Sequence, residues 1–148
     1  MIHGGGDLLR AGDGLLVGYD LKKDTSVLEL AYNDPTGVTS AFNKNLLARI
    51  NRELGGTFDL GAFSFAAKYD AEAGAIRSYL RAERDMTVDV PGAGVAAAVA
   101  AGDTIHTESS YKFASAEMHG LVAAGGFAER ATYTDAAGRY ALSLFIRQ

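Results

Sequence analysis

The sequence predicts an α/β fold in which an α-then-β segment is inserted between two parts of a single layer. Three observations carry this expectation. A short apolar run at 15–19, LLVGY, reads as a buried strand near the start of the chain. Near Phe58 the hydrophobic period changes from helical to alternating, and after Phe113 a helical pattern returns and gives way to two strands. The two ends therefore look like one layer, with the middle interrupting it.

Taken in order, 4–6 is a glycine lead-in and 7–10 has the character of a last helical turn. Gly12-Asp13-Gly14 is turn chemistry before the first strand. As a fully buried strand, 15–19 needs neighbours on both sides. Asp24 is a suitable N-cap for a helix over Thr25–Tyr32, and Asn33–Gly37 breaks it. A longer helix follows over Val38–Leu54. There Val38, Phe42, Leu46, Ile50 and Leu54 recur every fourth residue, Ala41 and Leu47 widen the stripe, and Gly55-Gly56 closes the helix. Alternation then predicts strands over 63–69, Ala75–Ala82, Met86–Val90 and 104–113, as an antiparallel meander. The Ala/Gly-rich 91–103 fits a weak or edge strand better than a helix, because Gly94 and Gly102 bracket only seven residues. A helix over 114–124 ends at Gly125-Gly126, and strands over Phe127–Thr134 and 140–146 flank the hairpin connection DAAG.

The stretch 104–113, TIHTESSYKF, carries the chemistry. Period-2 alternation places Ile105, Thr107, Ser109 and Tyr111 on one face and His106, Glu108, Ser110 and Lys112 on the other. A carboxylate and a hydroxyl then stand about 7 Å apart on one face, suited to a small, polar, nitrogen-bearing ring. Equally, such a face is what a solvated antiparallel strand presents.

Composition narrows the classes. The 148 residues, 48% hydrophobic and 22% charged, suffice for an ordinary core. A net charge of −4 without any Lys/Arg block argues against a nucleic-acid surface. The absence of cysteine excludes disulfides and thiolate chemistry and fits a cytoplasmic setting. His3, His106 and His119 lack ligand spacing, so no metal is expected. No apolar run reaches membrane-spanning length, and the start lacks the pattern of a signal peptide.

Four ordered blocks, LLVGYDLKKD, AYNDPTGVTSAFNKNLLARINREL, TESSYKF and TDAAGRYALSL, closely resemble the histidine-specific methyltransferases of ergothioneine biosynthesis. That resemblance implies the rear part of a class I, Rossmann-like methyltransferase sheet at 1–22 and 113–148, with an inserted α+β substrate-binding domain at 23–112. It implies trimethylation of the α-amino nitrogen of histidine to hercynine, with S-adenosylmethionine as methyl donor. In the family the glycine-rich turn and acidic residue that hold this donor lie upstream of these blocks, as does an asparagine that helps hold the substrate carboxylate. None can be matched here, and 4–6 has neither the spacing nor the acidic follow-up of a nucleotide turn. The resemblance is thus to the C-terminal half, with a missing N-terminal half or self-association as the partner that completes it.

Carried over residue by residue, the resemblance makes Glu108 and Ser110 the pair that grips the imidazole. An ionised carboxylate accepts a ring N–H, while a hydroxyl donates to or accepts from the other nitrogen. Tyr32 matches the residue at the substrate's carboxylate end; Thr39 and Phe42 match pocket positions, although Phe42 also sits on the apolar stripe of its helix. Ser78 stands where the family often has methionine beside the imidazole, which loosens or polarises that wall. Tyr19 replaces a usually smaller residue, and Lys112 receives no role. No catalytic residue is expected, because an amine attacking a sulfonium methyl chiefly needs positioning. The alternative readings are a non-catalytic amino-acid-binding module and a truncated fragment of the family with exposed sheet edges.

Overall fold

The structure, a computed structural model, describes residues 9–148. The glycine lead-in at 4–6, His3 and half of the turn expected at 7–10 lie outside the described residues. The chain divides into two compact units, Met1–Lys23 with Tyr111–Gln148, and Asp24–Ser110. It is α/β, and its named strand pairings are antiparallel. No helix among the described residues is long and apolar enough to cross a membrane.

The first unit contains β1 (Gly14–Asp20), α3 (Ser115–Ala123), β7 (Phe127–Thr134) and β8 (Tyr140–Arg147). Its sheet has the order β1-β8-β7, so the last strand lies between the other two and runs antiparallel to both. One face packs on α3 through Tyr19, Met118, Val122, Phe127, Ala141 and Phe145. The fully buried strand expected at 15–19 is corrected here. β1 alternates, only Tyr19 is buried, and β8 is its sole strand partner among the described residues. Beyond β1, Leu21 and Phe113 form a parallel bridge, with Phe113 N donating to Asp20 O at 3.0 Å and Lys22 N to Phe113 O at 3.1 Å. Lys112 sits beneath this crossing with its side chain 1% exposed, its Nζ 3.1 Å from Asp20 Oδ2. Lys23 holds the other carboxylate oxygen.

The second unit contains α1 (Thr25–Tyr32), α2 (Val38–Leu54), β2 (Phe63–Asp70), β3 (Ala75–Ala82), β4 (Met86–Val90), β5 (Val95–Val99) and most of β6 (Thr104–Tyr111). The expected meander is corrected: β6 lies beside β3 in a β2-β3-β6 sheet, while β4 and β5 form a separate hairpin. The weak strand expected within 91–103 is β5, which follows a 3-10 turn at Pro91–Ala93. The two helices cover one face of the larger sheet, Leu28 meeting Ala67 and Ile76, and Leu47 meeting Phe63, Leu80 and Ala82. The outer edge of β2 is occupied by side chains instead of a strand. Asn33 exchanges two bonds with the backbone of Ala67, at 2.8 and 2.9 Å, and Glu29 accepts from Tyr69 N at 3.0 Å.

α2 starts at Gly37, whose φ of 74° is a left-handed conformation that favours glycine. Three residues earlier, Asp34 accepts from the backbone N–H of Val38 and Thr39, each at 2.9 Å, and from the Thr36 hydroxyl. The hydrogen bonds from Thr36 and Thr39, with that from the Val38 backbone, outweigh burial and hold its carboxyl well below the usual range. The apolar stripe faces the core only in part: Leu47 is buried there and Ile50 packs against it. Phe42 is 70% exposed, Val38, Leu46 and Leu54 are also exposed, and Asn43 and Leu47 are the buried residues.

Burial of Asp20 opposes its ionisation, but the hydrogen bonds and charges of Lys23 and Lys112 outweigh it and lower its pKa. A carboxyl depressed in the folded state contributes stability that is complete above its unfolded value, about 3.9, and is lost as pH falls through the folded one. Urea denaturation at pH 7, 4 and 3 should therefore show stability falling only below about pH 4, with Asp20→Asn reducing that dependence. Lys112→Met should cost about 1–3 kcal/mol at pH 7, less than a fully buried pair, because Asp20 is partly exposed and retains Lys23.

Candidate functional site

The site grows from the placement of α2 over β6. Asn43, 3% exposed, donates its amide Nδ2 to the carbonyl of Thr39 one turn earlier at 2.9 Å. That bond orients the amide so that its oxygen faces the sheet, where Thr107 Oγ1 donates to it at 2.5 Å. The same hydroxyl lies 3.1 Å from the carbonyl of Ser78 on β3. A single polar thread thus joins Thr39, Asn43, Thr107 and Ser78, and it turns Phe42 and Leu46 outward.

Outward is where the cavity lies. A recess of ≈ 400 Å³ is lined by Phe42, Asn43, Asn45, Leu46, Arg49, Thr107 and Glu108, within the range of small-ligand pockets. Phe42 is therefore a wall of this recess and not part of the core. The Arg49 guanidinium is engaged by Glu53 through two contacts of 3.1 Å, so its charge is locally matched. The Glu108 carboxylate is exposed and has no hydrogen-bond or ion-pair partner among the described residues. It is thus available to accept from a ligand N–H.

Beyond Glu108 the strand departs from simple alternation. The Ser109 hydroxyl lies 3.0 Å from His106 Nε2, although residues three apart on a regular strand point to opposite faces. The slip places Ser110 against the helix layer, where Tyr32 OH donates to Ser110 Oγ at 2.7 Å. The expected face of His106, Glu108, Ser110 and Lys112 is corrected accordingly. His106 instead meets the ring of Tyr79 at 5.3 Å, and Lys112 is buried against Asp20.

Of the residues singled out by sequence, Phe42 and Glu108 line the recess, and Tyr32 and Ser110 are bonded to each other. Thr39 and Ser78 enter through their carbonyls, on either side of Asn43 and Thr107. The Ser78 side chain is 1% exposed and its Oγ has no hydrogen-bond partner among the described residues. Asn43 and Thr107 were missed. Their signal was the polar pair Thr39/Asn43 at i, i+4 in register with Leu47, which the stronger Val38–Phe42–Leu46 stripe concealed.

Comparison with known proteins gives consistent matches. A family model described as histidine-specific, SAM-dependent methyltransferase matches residues 3–147. Histidine N-alpha-methyltransferase of Mycolicibacterium smegmatis is 43% identical over 141 residues, covering 95% of this chain and 44% of that protein. The protein of the same name from Mycobacterium tuberculosis is 41% identical over 137 residues, 93% of this chain and 43% of its own length. Ergothioneine biosynthesis protein 1 of Schizosaccharomyces pombe is 36% identical over 81 residues, 54% of this chain and 10% of that protein. The chain thus spans less than half the length of the relatives it matches.

The polar thread has a measurable asymmetry. Thr107→Val removes a made bond and strands the Asn43 oxygen, so thermal or urea unfolding should show a loss of about 1–2 kcal/mol. Ser78→Ala removes a buried hydroxyl that has no partner, and should be neutral or stabilising by up to about 1 kcal/mol.

Proposed function

Because the chain belongs to the family of histidine-specific, S-adenosylmethionine-dependent methyltransferases, we propose that it carries the substrate-binding half of an enzyme that methylates the α-amino nitrogen of histidine to give hercynine. In this reading 23–112 is a substrate-binding domain interrupting a methyltransferase core at 1–22 and 113–148. The β1-β8-β7 order supports the second part. β1 and β7 run parallel to each other with the antiparallel final strand between them, as the rear of a Rossmann-like sheet requires.

The observation that carries the proposal is the pairing of Glu108, a carboxylate with no partner among the described residues, with an aromatic wall, Phe42, in one recess. Glu108 accepts an imidazole N–H, Ser110 engages the other ring nitrogen, and Phe42 packs on the ring face. Tyr32, already bonded to Ser110, lies at the carboxylate end of the amino acid, and Thr39 contributes by accepting from the Asn43 amide that lines the recess. Ser78 sits beneath the imidazole wall. A site that pairs both ring nitrogens rejects apolar side chains, which would leave its own polar groups unmatched.

The methyl donor has a different standing. The family uses S-adenosylmethionine, which supplies an electrophilic methyl group when bound. The described residues do not fit it. β1 runs into Asp20–Lys23 instead of a glycine-rich turn, and the N-termini of α1 and α2 are already occupied by the carboxylates of Asp24 and Asp34. Transfer itself is therefore assigned to no residue of this chain; its contribution is binding and aiming the amine.

Isothermal titration calorimetry tests the reading directly. Histidine should bind saturably and leucine should not, while Glu108→Gln should weaken histidine by roughly 10- to 100-fold, as expected for a hydrogen bond to a charged group. S-adenosylmethionine alone should give no heat. A folded chain with no affinity for histidine overturns the substrate site, and saturable heat with the donor overturns the division of labour.

A further inference from the structure

The β2-β3-β6 sheet has a second face, opposite the one that α1 and α2 cover. Its register sets Ser64 beside Arg81, Ala66 beside Tyr79 and Lys68 beside Arg77. β6 adds a third column. Ala82 N donates to Asp103 O at 2.8 Å and the rings of Tyr79 and His106 lie 5.3 Å apart, so Thr104 falls beside Arg81. A recess of ≈ 490 Å³ opens on this face, lined by Ala66, Lys68, Tyr79, Arg81 and Thr104. Its size is that of a small-ligand pocket.

The chemistry of the recess has a direction. Ala66 is its small floor, and Tyr79 with His106 forms an aromatic shelf beside it. The Ser109 hydroxyl, 3.0 Å from His106 Nε2, steadies that imidazole. Arg81 and Lys68 stand at opposite ends, each two residues and about 7 Å along its strand from Tyr79 or Ala66. Both are exposed, and neither side chain has a hydrogen-bond or ion-pair partner among the described residues. The carboxylates around them are engaged elsewhere. Asp70 pairs with Arg77 at 3.1 Å, Glu83 accepts from the Ser64 hydroxyl, and Asp103 accepts from Ala100 N at 2.9 Å. Two unmatched cations flanking one aromatic shelf fit an anion that carries a planar ring.

We propose that this recess is a second ligand site, taking a nucleoside monophosphate. Arg81 clamps the phosphate with paired guanidinium N–H groups, and Thr104 donates its hydroxyl beside them. The base stacks on Tyr79 over Ala66, as bases do on aromatic side chains. Lys68 donates to a ring acceptor at the far end. S-adenosylmethionine does not suit the recess, since its sulfonium and ammonium would face two cations. A nucleic-acid strand does not suit it either, because no Lys/Arg block extends the charge along the chain. This recess shares no lining residue with the one at Phe42 and Glu108, and the proposal does not rest on the substrate reading.

Calorimetry with AMP tests the site, with adenosine and inorganic phosphate as its two halves. AMP should bind saturably, with a Kd below about 1 mM, and either half alone at least about 10-fold more weakly. Arg81→Gln should weaken AMP at least about 10-fold and Lys68→Met about 3- to 10-fold. Added salt should weaken it too. Circular dichroism and melting verify that the variants remain folded, and if Arg81→Gln does not, Lys68→Met alone decides. No saturable AMP binding, AMP binding indifferent to a folded variant, or phosphate alone binding as tightly as AMP each overturns the proposal. Histidine affinity is measured on the same samples and should be unchanged in both variants. A folded variant that loses both ligands overturns the separation of the two sites, whereas AMP binding without histidine binding sinks the substrate reading alone.

Discussion

The hydrogen bond between Asn43 and Thr107 decides which side of α2 meets the sheet, and the candidate site depends on that orientation. A helix of 17 residues carrying Val38, Phe42 and Leu46 in a row would ordinarily bury them. Here Leu47 supplies the apolar contact and Asn43 the specific one. An amide buried without partners would be costly, so both ends of the Asn43 amide are used, one on Thr39 and one on Thr107. With that face committed, Phe42 and Leu46 are left to line a recess that ends at Glu108. The polar thread contributes orientation, and Phe42 and Leu46 of the apolar stripe become the wall of the recess.

Much of the local structure was legible because its signals are local. Asp24 before α1, Gly55 after α2 and the DAAG hairpin each act within a few residues, and each lies where its chemistry requires. Pairing was less legible. Alternation marks β4 as a strand but does not say that β5 will capture it, leaving β6 to reach β3. The polarity of β6 was readable and its register was not. The slip between His106 and Ser110 is visible only once Tyr32 and Tyr79 are in place on opposite sides. Phe42 shows the general difficulty: an apolar residue at helical spacing looks the same in sequence whether it faces a core or a ligand.

The two units treat exposed surface differently. In Asp24–Ser110, polar side chains such as Asn33, Glu29 and Thr57 close strand edges locally, Thr57 by exchanging bonds with Asp89 on β4. In the first unit the ion pair of Lys112 with Asp20 secures the chain crossing, while the sheet beside it retains an apolar face and an open edge. The candidate site lies in a unit with its own cores.

Chemical-shift mapping of the ¹⁵N-labelled chain titrated with histidine tests the central claim most directly, because it reports where the ligand sits. The account predicts saturable shifts at Tyr32, at the Thr39–Arg49 face of α2 and at Thr107–Ser110, with the amides of β1, β7 and β8 unmoved. Saturable shifts centred on β1, β7 and β8, or none near Phe42 and Glu108, would contradict it.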